Sequence, residues 1–382
     1  MATVVDFEER RLQAYFSHLA TEVGSIANTK LVCVAHMVSN SVVFLPALAD
    51  IAPVGLLLPK PKTASTDEAR KIAQYGFKSH ELSRDWAKNG HLVVQAIKDA
   101  IKGPDQIILV DIGGYFAESL NDIAKGLEGR LVGVMEGTEN GLQKYEKSGI
   151  DYTVPIITVA RSPLKLPEDY HVGSGVVFSV ESVLREQAQI LQTRTACVIG
   201  YGRVGSGVAE VLRGRGIPTV VHDQSPIAMA EAAARGFQVF RRLEEALRIS
   251  SLVISATGGN ALDRKALASV RSGAVIATVT SVDDEFVEDD LKLYRPSRVS
   301  PSIKRYDSDG QQYFWLVNNG NPANFLHGAV IGPAMQLIEG EKMAAIHALA
   351  NNTFVSDGKI SEVTYEARVR VAEIWNEHFL DD

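Results

Sequence analysis

Cysteine is scarce in these 382 residues: only Cys33 and Cys197 occur. Both sit inside apolar runs, where a free thiol behaves as a small buried hydrophobe, and two such residues make no disulfide framework. A reducing compartment, the cytoplasm, is the expected location. Basic runs are missing too. With a net charge of −7 and no compensating positive stretch, the chain lacks the face that nucleic acid or an anionic membrane requires, so a small molecule is the expected partner. Nor is there a long apolar run. The most apolar region, 42–58, is interrupted by Pro46, Asp50 and Pro53, and the charged residues 1–11 lack the core of a signal peptide, so no membrane segment is expected. No metal site is expected. The length suffices for two domains with separate cores.

The most informative stretch is 195–223. A short apolar, β-branched run, Ala196 to Ile199, is followed at once by Gly200, Gly202 and Gly205 in G-x-G-x-x-G spacing, then by a helical pattern and a second apolar run ending in Asp223. The first glycine permits a tight turn, the second lets backbone approach a pyrophosphate, and the third lets the helix pack close to the strand. The N–H groups and positive end of that helix, expected at 206–213, would face the phosphates, with Arg203 and Val204 in the glycine turn before it. Asp223 falls where a carboxylate accepts hydrogen bonds from both adenosine ribose hydroxyls and repels a 2′-phosphate, which favours NAD over NADP. Arg241 and Arg242 follow the third strand pattern and read as surface residues.

Along the rest of the chain, strand patterns at 30–36, 53–58, 106–111 and 131–135 alternate with helical patterns at 7–20, 41–49 and 85–101. Such alternation implies α/β architecture with doubly wound parallel sheets. Ligands in these sheets sit beyond the carboxyl ends of the strands, which singles out His36, Asp111, Glu136, Thr138 and Asn140. Residues 155–172 read as irregular because of Pro163 and Pro167, and a hinge is expected near 173–175. Beyond Asp223, strands are expected at 237–240, 251–255 and 274–279. The turn Ala256-Thr-Gly-Gly259, with Thr257 and Gly258, should face the nicotinamide. A hairpin is expected at 302–317 around Asp307-Ser-Asp-Gly310, then a loop holding Asn319 and Asn321, a long apolar helix at 325–349 with His327 near its start, and a closing helix at 365–379. The expected organisation is therefore a Rossmann NAD-binding domain at 176–322, inserted in a discontinuous substrate domain formed by 1–175 and 323–382.

With these pieces in place, the chain resembles the S-adenosyl-L-homocysteine hydrolase family from about His36 to the 325–349 segment. Ile199-Gly-Tyr-Gly-Arg-Val-Gly-Ser-Gly207, Leu212-Arg-Gly214, Asp223-Gln-Ser-Pro-Ile227, Ala256-Thr-Gly258 and Pro301-Ser-Ile-Lys-Arg-Tyr306 look like the family's motifs in order and spacing. The resemblance implies bound NAD, transient oxidation of a ribose hydroxyl, elimination and addition of water. That cycle needs a base for the hydroxyl, a base for the carbon acid and a proton donor for the leaving group. It places Lys165 and Asp169 at the hydroxyl and His36 and Asp111 among the acid/base groups. Glu136, Asn40, Asn321 and His327 fall to substrate binding, and Thr138, Asn140 and Asn319 to the cofactor. A homo-oligomer, dimer or tetramer, is also expected.

The departures concentrate in the substrate pocket. Val38 and Asn40 replace a threonine and a glutamate that read adenine and ribose, Ile112 a second aspartate, Gly137 a second glutamate, and Tyr170 an asparagine. Thr138-Glu-Asn140 replaces a threonine triplet, Thr280-Ser281 a Gly-His pair, and Asn321-Pro322 a His-Pro pair, while the family's C-terminal tail has no counterpart after Phe379. The expectation is an NAD-dependent enzyme acting on a hydroxyl of another small nucleoside- or sugar-like molecule, with or without elimination. The alternatives are an NAD-binding sensor that has lost its chemistry and a plain NAD-dependent dehydrogenase.

Overall fold

Single strands in this chain change face at every residue, and both faces are apolar. In β1 (Thr29–Ala35), Leu31 and Cys33 belong to one core while Val32 and Val34 belong to another. In β6 (Ala196–Ile199), Ala196 and Val198 separate in the same way from Cys197 and Ile199. A strand buried on both faces reads as a continuous apolar run, as expected for parallel sheets covered by helices on both sides. Both cysteines are free and buried; burial pushes the Cys197 thiol up to about 12 and raises that of Cys33 as well.

The computed structural model describes residues 4–63, 67–280, 282–308, 312–329, 332–354 and 360–380. The chain divides into two compact units, residues 1–165 with 332–382, and residues 166–331. In the first, β2 (Val54–Pro59), β1, β3 (Gln106–Asp111), β4 (Leu131–Glu136), β5 (Ile156–Thr158) and β14 (Ile360–Glu362) lie side by side in that order, all parallel. In the second, β8 (Gln238–Val239), β7 (Thr219–His222), β6, β9 (Leu252–Ser255), β10 (Ala274–Thr278) and β13 (Gln312–Val317) are parallel neighbours in that order. Counted along this unit, the order is 3-2-1-4-5-6, that of a dinucleotide-binding Rossmann sheet. Its outer edge is not parallel: β11 (Arg295–Ser300) and β12 (Ile303–Ser308) run antiparallel, β12 against β13. The hairpin strands are thus present, while part of the expected turn, Asp309 and Gly310, lies outside the described residues. Ser281 lies outside them as well.

Four local expectations are corrected. The segment 155–172 is mostly regular: it contains β5, a 3-10 turn Pro163–Lys165 and the start of the helix Leu166–Glu186. Pro167 is the second residue of that helix, where a missing N–H costs nothing. The 173–175 hinge lies inside the same helix. A Cβ on Gly173 would come within 2.7 Å of the Val208 nitrogen, and one on Gly207 within 3.1 Å of Tyr170 Cα, so these glycines let two helices approach closely. The 325–349 helix is interrupted. Gly328 turns left-handed (φ +80°) after the 3-10 turn Ala323–His327, and the helix proper is Ala334–Asn351. Finally, 85–101 is two helices, Arg84–Lys88 and Gly90–Ala100, because the Asn89 side chain caps the second by accepting from Leu92 N at 3.3 Å.

Candidate functional site

The glycine turn of the second unit has the shape its spacing implies. Gly200 has φ +90°, and a Cβ there would lie 2.8 Å from the Ala256 carbonyl oxygen. A Cβ on Gly205 would lie 1.9 Å from the Gly200 oxygen, so only glycine lets the helix Arg203–Gly214 start against β6. Gly202 is the N-cap, has no side-chain cap and has no heavy atom within 4 Å of an added Cβ. An open approach to an uncapped helix N-terminus suits a pyrophosphate. Asp223 accepts from Tyr201 N at 2.6 Å and from Ser225 N at 2.7 Å. Each carboxylate oxygen has a second lone pair, so Asp223 can hold the turn and still accept from ribose hydroxyls. Arg241 and Arg242 are exposed.

At the ends of β9 and β10 a residue overlooked in the sequence organises the turn. Glu285, fully buried, accepts from Thr257 N, Gly258 N and Thr280 Oγ1 at 3.0, 3.0 and 2.6 Å through Oε1. Its Oε2 accepts from Ser255 Oγ and Thr257 Oγ1 at 2.6 and 2.8 Å. No sequence signal separates Glu285 from the adjacent Asp284; burial does, since Asp284 is only half-buried. Asn318 and Asn319 take left-handed φ of 49° and 54°, which asparagine tolerates better than most residues, and Asn318 Nδ2 donates to the Pro322 oxygen at 2.9 Å. The Oδ1 atoms of Asn321 and Asn324 are buried with no hydrogen-bond partner among the described residues. His327 neither packs in a core nor stands alone: it is exposed, with Nδ1 2.9 Å from the buried Ser179 hydroxyl. Asp169, in the first turn of Leu166–Glu186, is 4 % exposed, and its Oδ2 lies 3.8 Å from Arg203 Nη1.

The remaining residues belong to the first unit. His36 follows β1 and is half-buried; its carbonyl accepts from Ser41 Oγ at 2.6 Å, and Asn40 lies in the first turn of the helix Ser39–Ile51. Asp111 and Glu136 are register partners at the ends of β3 and β4, and both are fully buried. Glu136 accepts from Gly113 N, Gly114 N, Thr138 N and Thr138 Oγ1 at 3.1, 2.9, 2.7 and 2.7 Å. Asp111 Oδ2 accepts from Tyr145 OH at 2.9 Å and Phe116 N at 3.2 Å, while its Oδ1 is buried without a partner among the described residues. Burial, then the neighbouring Asp111, pushes Glu136 up to about 8, and burial raises Asp111 too. These acids brace the turn that contains Gly113 (φ +113°) and Gly114 (φ +61°). Thr138 also caps the helix Glu139–Lys147 by accepting from Gly141 N at 3.1 Å, and Asn140 is half-buried in that helix. Lys165 is only 7 % exposed, against the usual solvation of a lysine in a proline-containing connection.

The sequence-derived residues thus fall into two groups. Gly200, Gly202, Arg203, Val204, Gly205, Asp223, Thr257, Gly258, Asn319, Asn321, His327 and Asp169 lie in the second unit, and His36, Asn40, Asp111, Glu136, Thr138, Asn140 and Lys165 in the first. Among the described residues no helix is long and apolar enough to cross a membrane, and no three His, Cys, Asp or Glu side chains group as a metal site.

Comparison with known proteins agrees with this geometry. Residues 176–329 match the family model of the S-adenosyl-L-homocysteine hydrolase NAD-binding domain. The chain is 26 % identical over 361 residues to the adenosylhomocysteinase of Sulfurisphaera tokodaii, covering 90 % of this chain and 83 % of that protein. It is 24 % identical over 356 residues to that of Sulfolobus acidocaldarius, covering 89 % and 81 %. It is 25 % identical over 339 residues to the S-inosyl-L-homocysteine hydrolase of Methanocaldococcus jannaschii, covering 85 % and 78 %. With its glycine turn, its Asp223 and its 3-2-1-4-5-6 sheet, the second unit is similar to the NAD-binding domain of S-adenosyl-L-homocysteine hydrolase, and the chain takes NAD as its cofactor.

Proposed function

We propose that this protein is an NAD-dependent enzyme that oxidises a hydroxyl of a small nucleoside- or sugar-like substrate, with or without elimination, and that S-adenosylhomocysteine is a poor substrate for it. The carrying observation is Lys165. An ammonium group 7 % exposed at the end of a 3-10 turn is costly to keep for packing alone, and such a lysine suits proton abstraction. In this reading Lys165 takes the hydroxyl proton and Asp169 orients the hydroxyl. His36 and Asp111 serve the later proton transfers, and bound NAD supplies the hydride acceptor. Val38, Asn40, Ile112, Gly137 and Asn321 replace groups that would read or protonate S-adenosylhomocysteine, and each missing polar partner in a closed site costs about 1–3 kcal/mol. The relative named for S-inosyl-L-homocysteine supports variation of the substrate within this family. We place the enzyme in the cytoplasm as a homo-oligomer.

The test is single-turnover absorbance of reduced nicotinamide with a panel comprising S-adenosylhomocysteine, S-inosylhomocysteine, adenosine, inosine and free pentoses. A member other than S-adenosylhomocysteine should reduce the cofactor. Lys165→Ala should slow that step about 10²- to 10⁴-fold, the usual loss on removing a general base, and leave NAD affinity intact. Native-rate reduction in Lys165→Ala would refute the role, and efficient turnover of S-adenosylhomocysteine would refute the altered specificity. A second reading, NAD binding without chemistry, draws support from Glu136 and Thr138, whose side chains are engaged in bracing turns; it predicts no reduction with any substrate.

A further inference from the structure

In the 3-2-1-4-5-6 sheet of the second unit, the nicotinamide half of the cofactor is expected over the carboxyl ends of β9, β10 and β13, the fourth to sixth strands in that count. The turn that the sequence assigns to the nicotinamide already has its donors engaged. The N–H groups of Thr257 and Gly258 and the hydroxyls of Ser255, Thr257 and Thr280 all donate to Glu285. A nicotinamide carries a carboxamide, with two N–H donors and one acceptor oxygen, and these groups need partners of their own once they leave water.

Acceptors stand on the next segment. The Thr278 hydroxyl, at the end of β10, lies 2.8 Å from the Gly320 carbonyl oxygen and 3.1 Å from that of Asn321, and Thr278 forms a bridge with Pro322. The loop after β13 is thereby held across the end of β10. Within this loop and the 3-10 turn Ala323–His327 that follows it, the Oδ1 atoms of Asn321 and Asn324 are both buried with no hydrogen-bond partner among the described residues. Asn324 is 7 % exposed and stands against Gly175, where an added Cβ would lie 3.4 Å from its own. A buried acceptor left unmet is uncommon in a folded chain, and two of them so close together at one strand end are what a ligand with adjacent donors would complete. Both side chains are neutral, so they suit an uncharged N–H donor and not an oxyanion.

We propose that Asn321 and Asn324 receive the N–H groups of the nicotinamide carboxamide through their side-chain oxygens and so fix which face of the ring is presented to the substrate. Asn321 thereby passes from the substrate, where the sequence places it, to the cofactor. The inference rests on NAD lying across this sheet; it involves no substrate, so it stands apart from the Lys165 reading.

The experiment is isothermal titration of the full chain with NAD, with acetylpyridine adenine dinucleotide, in which a methyl group replaces the amide nitrogen, and with ADP-ribose, which lacks the ring. The native protein should bind NAD about fivefold or more tightly than the acetylpyridine dinucleotide, as expected when a buried acceptor loses its donor. Asn324→Ala and Asn321→Ala should each weaken NAD by a similar factor, bring the two dinucleotides closer together and leave ADP-ribose at native affinity. Equal native affinity for the two dinucleotides, or an unchanged ratio between them in the variants, overturns the proposal. A loss shared equally by ADP-ribose would make both asparagines structural and overturns it too. Where Asn324→Ala does not fold, the half-buried Asn321→Ala and the comparison of dinucleotides on the native protein decide. None of these outcomes touches the Lys165 test, which reads cofactor reduction.

Discussion

Two alanine substitutions in one turn should separate folding from cofactor binding. At Gly202 the backbone has φ −78°, which any residue adopts, and an added Cβ meets no heavy atom within 4 Å. The fold should therefore accept Gly202→Ala, with stability unchanged or raised by about 0.4–1 kcal/mol through the lower entropy of the unfolded chain. NAD should not accept it, because the methyl group projects into the space through which the pyrophosphate reaches the helix end. At an overpacking cost of about 1–3 kcal/mol, affinity should fall about 5- to 150-fold. Gly205 is the opposite case. Its Cβ would stand 1.9 Å from the Gly200 oxygen, where ordinary contact begins near 3.4 Å, and both atoms are backbone. Relief requires the Arg203–Gly214 helix to move off β6, so Gly205→Ala should lose more than the ~1–3 kcal/mol typical of a crowded core. Urea unfolding would read the first quantity and isothermal titration with NAD the second. Unaltered NAD affinity in Gly202→Ala, or native stability in Gly205→Ala, would refute the assignment of the turn.

Three further outcomes follow from the same geometry. Asp223→Ala should narrow the preference for NAD over NADP in parallel titrations, because it removes the carboxylate that accepts from the ribose and repels a 2′-phosphate; an unchanged ratio would contradict that role. Glu285→Gln turns one oxygen of a carboxylate that accepts from five donors into an amide nitrogen. If the nicotinamide half sits over β9 and β10 as the Thr257–Gly258 turn predicts, the change should weaken NAD while ADP-ribose, lacking nicotinamide, binds at native strength; equal losses for both would mean only general destabilisation. Glu136 has its carboxyl pushed up from 4.5 to about 8, so the native state holds a proton that the unfolded chain releases, and stability should decline as pH rises through the window from about 4.5 to about 8. Glu136→Gln, though less stable overall, should flatten that decline in thermal unfolding; an unchanged slope would place its origin elsewhere.

Much of the second unit is legible from the string of residues alone. A β-branched run, three glycines at fixed spacing and an acid at the next strand's end specify a local unit whose parts lie close together in the chain, so turn and helix can be named without a structure. The alternation of apolar runs likewise announces parallel sheets, since strands buried on both faces have to be apolar at successive positions. What folding decided lies where distant segments meet. Gly173 looks like a hinge until it is found against Val208, and Lys165 looks solvated until tertiary packing leaves it 7 % exposed. Glu285 is one acid among several until it is found beneath the Thr257–Gly258 turn, 27 residues away along the chain. The loop that holds Asn321 is one polar loop among several until it is found against Thr278, 43 residues away along the chain. Periodicity and turn chemistry are local and survive in the sequence; burial and long-range contact depend on which strands become neighbours, and only the folded chain settles that.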